Sequence, residues 1–220
     1  MAGERIGILG SGDVGKALGS GFARHGWDVL VGTRNPEALA DWLDEVEGAG
    51  LDGAVAVGSF AEAAGHGDVV ILAVLGEAAE DVLDLAGPER FTESLVLDAT
   101  NPLDLSGGFP PELLYGGTDS LGERVQAHLP GATVVKCFNT VSNAQMVDPD
   151  FAEGTPPMLI CGDDGAAKER TEAILVDLGW PGALDVGDVT ASRYLEALVP
   201  LWARIGEVLG TYEHAFAVVR

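Results

Sequence analysis

Residues 5–36 read RIGILGSGDVGKALGSGFARHGWDVLVGTRNP, and this stretch decides the fold. The apolar run at 6–9 is a buried-strand signal, and Val14, Ala17, Leu18, Gly21 and Phe22 recur behind it at helical spacing. Between the two, Gly10, Gly12 and Gly15 form G-x-G-x-x-G. The first glycine suits a tight turn, the second leaves room for a pyrophosphate against the backbone, and the third lets helix and strand pack closely. The helix start then offers free N–H groups and a positive dipole end to phosphates. A second strand at 29–31 runs out into Thr33-Arg34-Asn35. An NAD site usually carries an acidic residue near this position, whereas a hydroxyl beside a guanidinium suits a ribose 2′-phosphate. The expected cofactor is therefore NADP(H), held by Gly10, Ser11, Gly12, Asp13, Val14, Gly15, Thr33, Arg34 and Asn35.

The spacing needs its context. With 31 glycines in 220 residues, chance alone supplies about 0.6 such matches. A second match does occur, at Gly48, Gly50 and Gly53. It follows a helix-like segment and leads into the short apolar run 54–57, with no helix opening behind it. It is expected to be a loop.

Strand-like and helical segments alternate along the chain, which predicts a parallel sheet covered on both faces. Strands are expected at 6–9, 29–31, 54–57, 69–74, 95–97 and 133–136, with two more at 157–161 and 183–186. Helices are expected at 14–24, 36–45, 62–64, 78–85, 121–128, 166–178 and 190–209. The fold class is α/β, a Rossmann-type doubly wound sheet with a small C-terminal α/β extension ending in a long helix. Residues 1–141 form the dinucleotide-binding domain, and 142–220 an extension that completes the acceptor site. Residues 102–118, rich in Gly and Pro, read as a long surface connection. In the last helix Tyr194, Leu198, Trp202 and Ile205 recur at helical spacing, which marks a core or subunit contact. A homodimer is the expected assembly.

Composition narrows the function classes. A formal charge of −23 argues against nucleic acid or an anionic membrane as partner. Only three of twelve basic residues are lysines, which fits either a salt-rich interior or a plain solvated acidic surface. No apolar run is long enough to span a bilayer and no signal-peptide pattern is present, so a cytoplasmic protein is expected. Cys137 and Cys161 fall in apolar strands and read as buried thiols, with no metal spacing around them.

In a doubly wound sheet, ligands sit beyond the carboxyl ends of the strands. Those ends carry Ala73, Val74 and Leu75 after the fourth strand, Thr100, Asn101 and Pro102 after the fifth, and Phe138, Asn139, Thr140 and Val141 after the sixth. The first two groups extend the cofactor site, and the third is assigned to the redox acceptor, a small molecule. Hydroxyls and amides of this kind orient a planar polar ring rather than ionise it. There is no nucleophile elbow and no metal-ligand spacing. His25 and His214 fall in expected helices, His66 beside glycines and His128 at a helix end, away from the strand ends. No catalytic acid or base is assigned, since hydride transfer between rings can proceed by juxtaposition.

These residues resemble a family. IGILGSGDVGKALGSGFARHG, VGTRNP, VVKCFNTVS, CGDDGAAKERTEAILVDLGW and SRYLEALVPLW together are similar to the reductases that couple NADP(H) to the deazaflavin coenzyme F420. The resemblance implies direct hydride transfer between the two rings. It assigns the pyrophosphate to the glycine turn, the 2′-phosphate to Thr33 and Arg34, and the deazaflavin to the segment from Phe138 to Val141, where some relatives have histidine in place of Asn139. The Phe138-Asn139-Thr140 sequence also resembles the cytosolic reductase domain of STEAP metalloreductases, which implies a flavin as carrier. The acceptor stays open between F420, a flavin, a metal chelate and a small organic substrate, and a non-catalytic NADP(H) sensor is a further alternative.

Overall fold

The computed structural model describes residues 3–219. Its first half runs β1 (Arg5–Leu9), α1 (Asp13–Arg24), β2 (Asp28–Gly32), α2 (Ala40–Gly48), β3 (Ala54–Gly58), α3 (Phe60–Ala64), β4 (Val69–Leu72), α4 (Ala79–Ala86) and β5 (Leu95–Asp98). A short hairpin, β6 (Leu103–Asp104) and β7 (Glu112–Leu113), precedes α5 (Leu121–His128) and β8 (Thr133–Lys136). Then come β9 (Met158–Gly162), α6 (Gly165–Asp177), β10 (Ala183–Asp185) and α7 (Ser192–Leu209).

Eight strands form one sheet in the order β10-β9-β8-β5-β4-β1-β2-β3. All neighbours are parallel except β8 and β9. The residues after 141 thus add β9 and β10 to the edge of the same sheet. Chain order reverses between β1 and β4, so the crevice beyond their carboxyl ends is the switch point where a doubly wound fold binds ligands.

Side chains alternate across the sheet with the period of two that strands impose. Ile6, Ile8, Val29, Val31, Val69, Ile71, Leu95, Leu97 and Val135 face one core with Leu18 and Phe22 of α1 and Ile174 and Leu175 of α6. Leu9, Val70, Leu72, Val96 and Val134 face the other, with Phe60, Val82, Leu83 and Val125 from α3, α4 and α5. Helix starts follow local chemistry. Before α3, the Ser59 hydroxyl accepts the Glu62 N–H at 3.2 Å and the Glu62 carboxylate accepts the Ser59 N–H at 2.8 Å, a reciprocal cap.

Three expectations need correction. Residues 102–118 are not a plain surface connection, because Leu103 and Asp104 pair antiparallel with Leu113 and Glu112. Two-residue strands are too short to leave a periodic signal. Of the two roles expected for Tyr194, Leu198, Trp202 and Ile205, the core contact is corrected and the subunit contact is left, because this stripe is not the buried face of α7. Tyr194 is 73% exposed, and Leu195, Glu196, Val199, Ala203 and Gly206 are the residues packed inward. Small residues let α7 lie close to its neighbours, while Trp202 packs against Tyr212 and His214 from the chain that follows. That chain is not helical at His214, whose ring bonds the Trp202 carbonyl at 3.1 Å.

Candidate dinucleotide site

The three glycines do separate jobs at the switch point. Gly10 has φ +133, and a Cβ there would lie 2.1 Å from the Ala73 carbonyl oxygen, so the turn out of β1 excludes any side chain. A Cβ on Gly15 would lie 2.0 Å from the Gly10 carbonyl oxygen, which is how α1 comes so near the strand. Around Gly12 there is nothing within 4 Å of an added Cβ. That open space is what a pyrophosphate needs.

The start of α1 adds a second signal. Its N-cap is Gly12, and no side chain takes its N–H groups. Helices α3, α5 and α6 are capped by Ser59, Ser120 and Asp164, and short 3-10 turns lead into α2, α4 and α7. Among the described residues only α1 begins with neither device. Its N–H groups and dipole end are left for an anion.

A cleft of about 620 Å³ runs along this turn and brings together Gly10, Ser11, Gly12, Asp13, Val14, Thr33, Arg34, Asn35, Ala73, Val74 and Leu75. Gly15 lies beneath it as packing. The Ser11 and Thr33 hydroxyls are 2.9 Å apart, and the Asn35 N–H donates to the Thr33 hydroxyl at 3.3 Å. Arg34 is exposed and meets no carboxylate among the described residues, which leaves its guanidinium for a ligand oxyanion. Phe60, Ala38, Ala78, Val82 and Ala99 complete the lining. Phe60 and Val82 were missed because apolar residues of α3 and α4 look like core in the sequence, and the three alanines, in turns and at a strand end, carry no chemical signal. The residues fit a dinucleotide carrying a 2′-phosphate, with open backbone for the pyrophosphate and a free cation beyond the second strand.

A second hollow of about 460 Å³ shares Val14, Val74, Leu75 and Ala99 with the first. Thr100 and Asn101 line it, as do Leu103, Leu105 and Leu114 from the hairpin region. Pro102 is buried beside it. Of the segment after β8, Asn139 and Thr140 are 5% and 4% exposed, and Val141 lines a separate shallow hollow with Phe109, Trp202 and Tyr212. Phe138 behaves differently. It is fully buried within the core with a left-handed φ of +65, so its ring is not offered to any opening.

Asn101 and Asn139 interlock. The Asn101 amide nitrogen donates to the Asn139 carbonyl at 2.9 Å, and the Asn139 amide nitrogen donates to Asn101 Oδ1 at 3.0 Å. The first bond fixes which way the Asn101 amide points, and the second then fixes Asn139. Asn139 Oδ1 is left buried without a partner. A buried acceptor in that state calls for a donor, from a ligand or an ordered water.

Burial pushes the Cys137 thiol up and lifts Cys161 to about 11, so neither is a ready nucleophile. His25, His66 and His128 pair with Asp148, Asp28 and Asp84, away from the cleft. No helix among the described residues is long and apolar enough to cross a membrane.

Known proteins resemble this chain over most of its length. The family described as NADP oxidoreductase, coenzyme F420-dependent, matches residues 5–102. Metalloreductase STEAP3 of Rattus norvegicus is 30% identical over 203 residues, which cover 90% of this chain but 38% of that protein. The chain thus spans well under half the length of that relative. The F420-dependent NADP reductase of Methanocaldococcus jannaschii is 28% identical over 203 residues, covering 90% of both. A crystal structure from Arthrobacter sp. FB24, named as a candidate F420-dependent NADP reductase, is 37% identical with a TM-score of 0.92, covering 99% of this chain and 100% of that one. Imine reductases superimpose at 22% identity or below and share the fold. With full-length likeness to the Arthrobacter protein at 37% identity, the chain belongs to the family of F420-dependent NADP oxidoreductases and is an NADP-dependent oxidoreductase.

Proposed function

We propose that the protein transfers a hydride between NADP(H) and a deazaflavin coenzyme of the F420 type. The observation that carries this reading is the continuity of the two hollows through Val14, Val74, Leu75 and Ala99. A dinucleotide whose phosphates meet the bare start of α1 and Arg34 would extend its nicotinamide toward Ala99 and Asn101. The adjoining hollow leaves room for a second ring. NADPH supplies the hydride from its nicotinamide. The chain itself supplies geometry: apolar walls from Val74, Leu75, Leu103 and Leu114 exclude water, and behind Asn101, which lines the same hollow, the buried and unpartnered Asn139 Oδ1 is the acceptor for a ring N–H. Thr140 and Val141 belong to the same proposed acceptor segment, with Phe138 contributing backbone.

The test is label transfer. Deuterium from NADPH labelled at the transferred position should appear in reduced F420 with one stereochemistry, because deazaflavin holds the hydrogen on carbon. Asn139→Ala should lower turnover about tenfold and leave NADPH affinity nearly unchanged. The match to metalloreductase STEAP3 favours a second reading, reduction of a flavin, a metal chelate or a small organic substrate. Turnover with flavin but none with F420 would select it. No NADPH oxidation with any acceptor would point to a sensor. Assembly as a homodimer belongs to the same proposal, supported by the exposed Tyr194, Leu201 and Val208 along α7, and sedimentation velocity reads it directly.

A further inference from the structure

The carboxyl ends of β5 and β8 close on opposite charges. Asp98 and Lys136 are register partners, and Lys136 Nζ lies 2.8 Å from Asp98 Oδ2 and 2.8 Å from Glu196 Oε1 of α7. The side chains are 0%, 0% and 2% exposed. Burial pulls the Lys136 ammonium down, but the Asp98 and Glu196 carboxylates outweigh it and hold the pKa above its ordinary value. Charges withdrawn from water in this way are weak devices for stability, since a well-packed apolar set often does as well. The set calls for another reason.

Its outward bonds supply one. Glu196 accepts the Leu121 and Gly122 N–H groups at the start of α5, both at 2.9 Å, which anchors the set to a helix end. Asp98 Oδ1 accepts the Thr100 N–H at 2.9 Å and the Thr100 hydroxyl at 2.6 Å. Lys136 donates to the Thr100 carbonyl at 2.8 Å. All three polar groups of one rim residue therefore end on this buried pair. Thr100 leads directly into Asn101, which orients the Asn139 carboxamide. The chain of contacts finishes on the acceptor oxygen that has no partner.

We propose that Glu196, Lys136 and Asp98 are positioning residues for hydride transfer: they lock Thr100, so that Asn101 holds the Asn139 carboxamide with its oxygen fixed for a ligand N–H donor. This rests on the reading that the acceptor occupies the hollow lined by Asn101, with the buried Asn139 oxygen behind it. None of the three touches the reacting rings, and the pyrophosphate end of the site lies outside their reach.

Glu196→Gln tests it, because glutamine keeps an oxygen for one of the two α5 N–H groups and removes the charge facing Lys136. The folded variant should bind NADPH within about twofold of wild type, while kcat with F420 or flavin mononucleotide falls about tenfold and the deuterium isotope effect on kcat rises. Thr100→Val removes only the hydroxyl held by Asp98 and should show the same split with a loss of about threefold. It decides the matter should Glu196→Gln not fold. Unchanged kcat in the folded variants, or NADPH affinity falling in step with turnover, overturns the proposal. Wild type measured alongside separates the two levels. A wild type that fails to oxidise NADPH with either acceptor overturns the functional reading and this inference with it, whereas an active wild type matched by its variants overturns the inference alone.

Discussion

At residues 10–15 the chain leaves β1 and enters α1; at residues 48–53 it leaves α2 and enters β3, with the same spacing of three glycines. Gly12 faces a cleft, and the helix behind it starts with uncapped N–H groups. Gly48 and Gly50 also have nothing within 4 Å of an added Cβ, but both are exposed and no helix begins after them. Gly53 serves the fold. A Cβ there would lie 2.1 Å from the Trp27 carbonyl oxygen, and its N–H donates to the Ala23 carbonyl at 2.9 Å, tying the turn to the end of α1. Identical spacing thus leaves room for a ligand in one place and for a crossing chain in the other. A glycine pattern says only which side chains are missing, and the neighbours decide what takes their space.

The largest effect should come from filling the first space. Gly12→Val should weaken NADPH and NADH alike by more than about a hundredfold, or about 3 kcal/mol, in a protein that still folds, as isothermal titration with circular dichroism would establish. Binding that survives this change would break the comparison. Arg34→Ala comes next. It should cost NADPH about 1.5–3 kcal/mol and leave NADH nearly unchanged, since only the 2′-phosphate differs. Equal losses would show that Arg34 holds a phosphate common to both cofactors, or holds the fold.

Gly53→Ala should act on stability instead, lowering it by about 1–3 kcal/mol through overpacking against Trp27. Thermal melting reads that loss, and the folded fraction should keep its NADPH affinity. Gly48→Ala should do least, within about 0.5 kcal/mol in either measurement, as for a surface change away from special geometry. If Gly48→Ala impaired NADPH binding, the second motif would have to be counted part of the site.

Much of this architecture was legible in the residues. Strands such as VVIL at Val69–Leu72 are apolar on both faces because helices cover both, and the glycine turn announces itself between such a strand and a periodic helix. The hairpin was hidden because its strands hold two residues each. Phe138 was assigned to the acceptor by position, but a left-handed backbone turns its ring into the core. The buried charge set had a signal that went unread. Asp98 and Lys136 each close an otherwise apolar strand, and Glu196 interrupts the inward face of α7. Opposite charges in such positions are costly alone and make sense only together. Pairing them required knowing that β5 and β8 are neighbours, which strand order alone supplies.

The edge position of β9 and β10 has an electrostatic consequence. These two strands close the side of the sheet far from β2, and the turns after them lie on that side. Asp163, Asp164 and Asp188 sit in those turns. Between β9 and β2, which leads into Arg34, stand β8, β5, β4 and β1, a separation of about 24 Å at about 4.8 Å per strand, and at about 0.1 M salt the field of an exposed charge fades within roughly 10 Å. This part of the acidic surface is therefore screened from the phosphates across the width of the sheet. A chain of formal charge −23 can in this way receive a polyanion. Its last two strands carry negative charge to the far side, and Arg34 is left with its own field at the cleft.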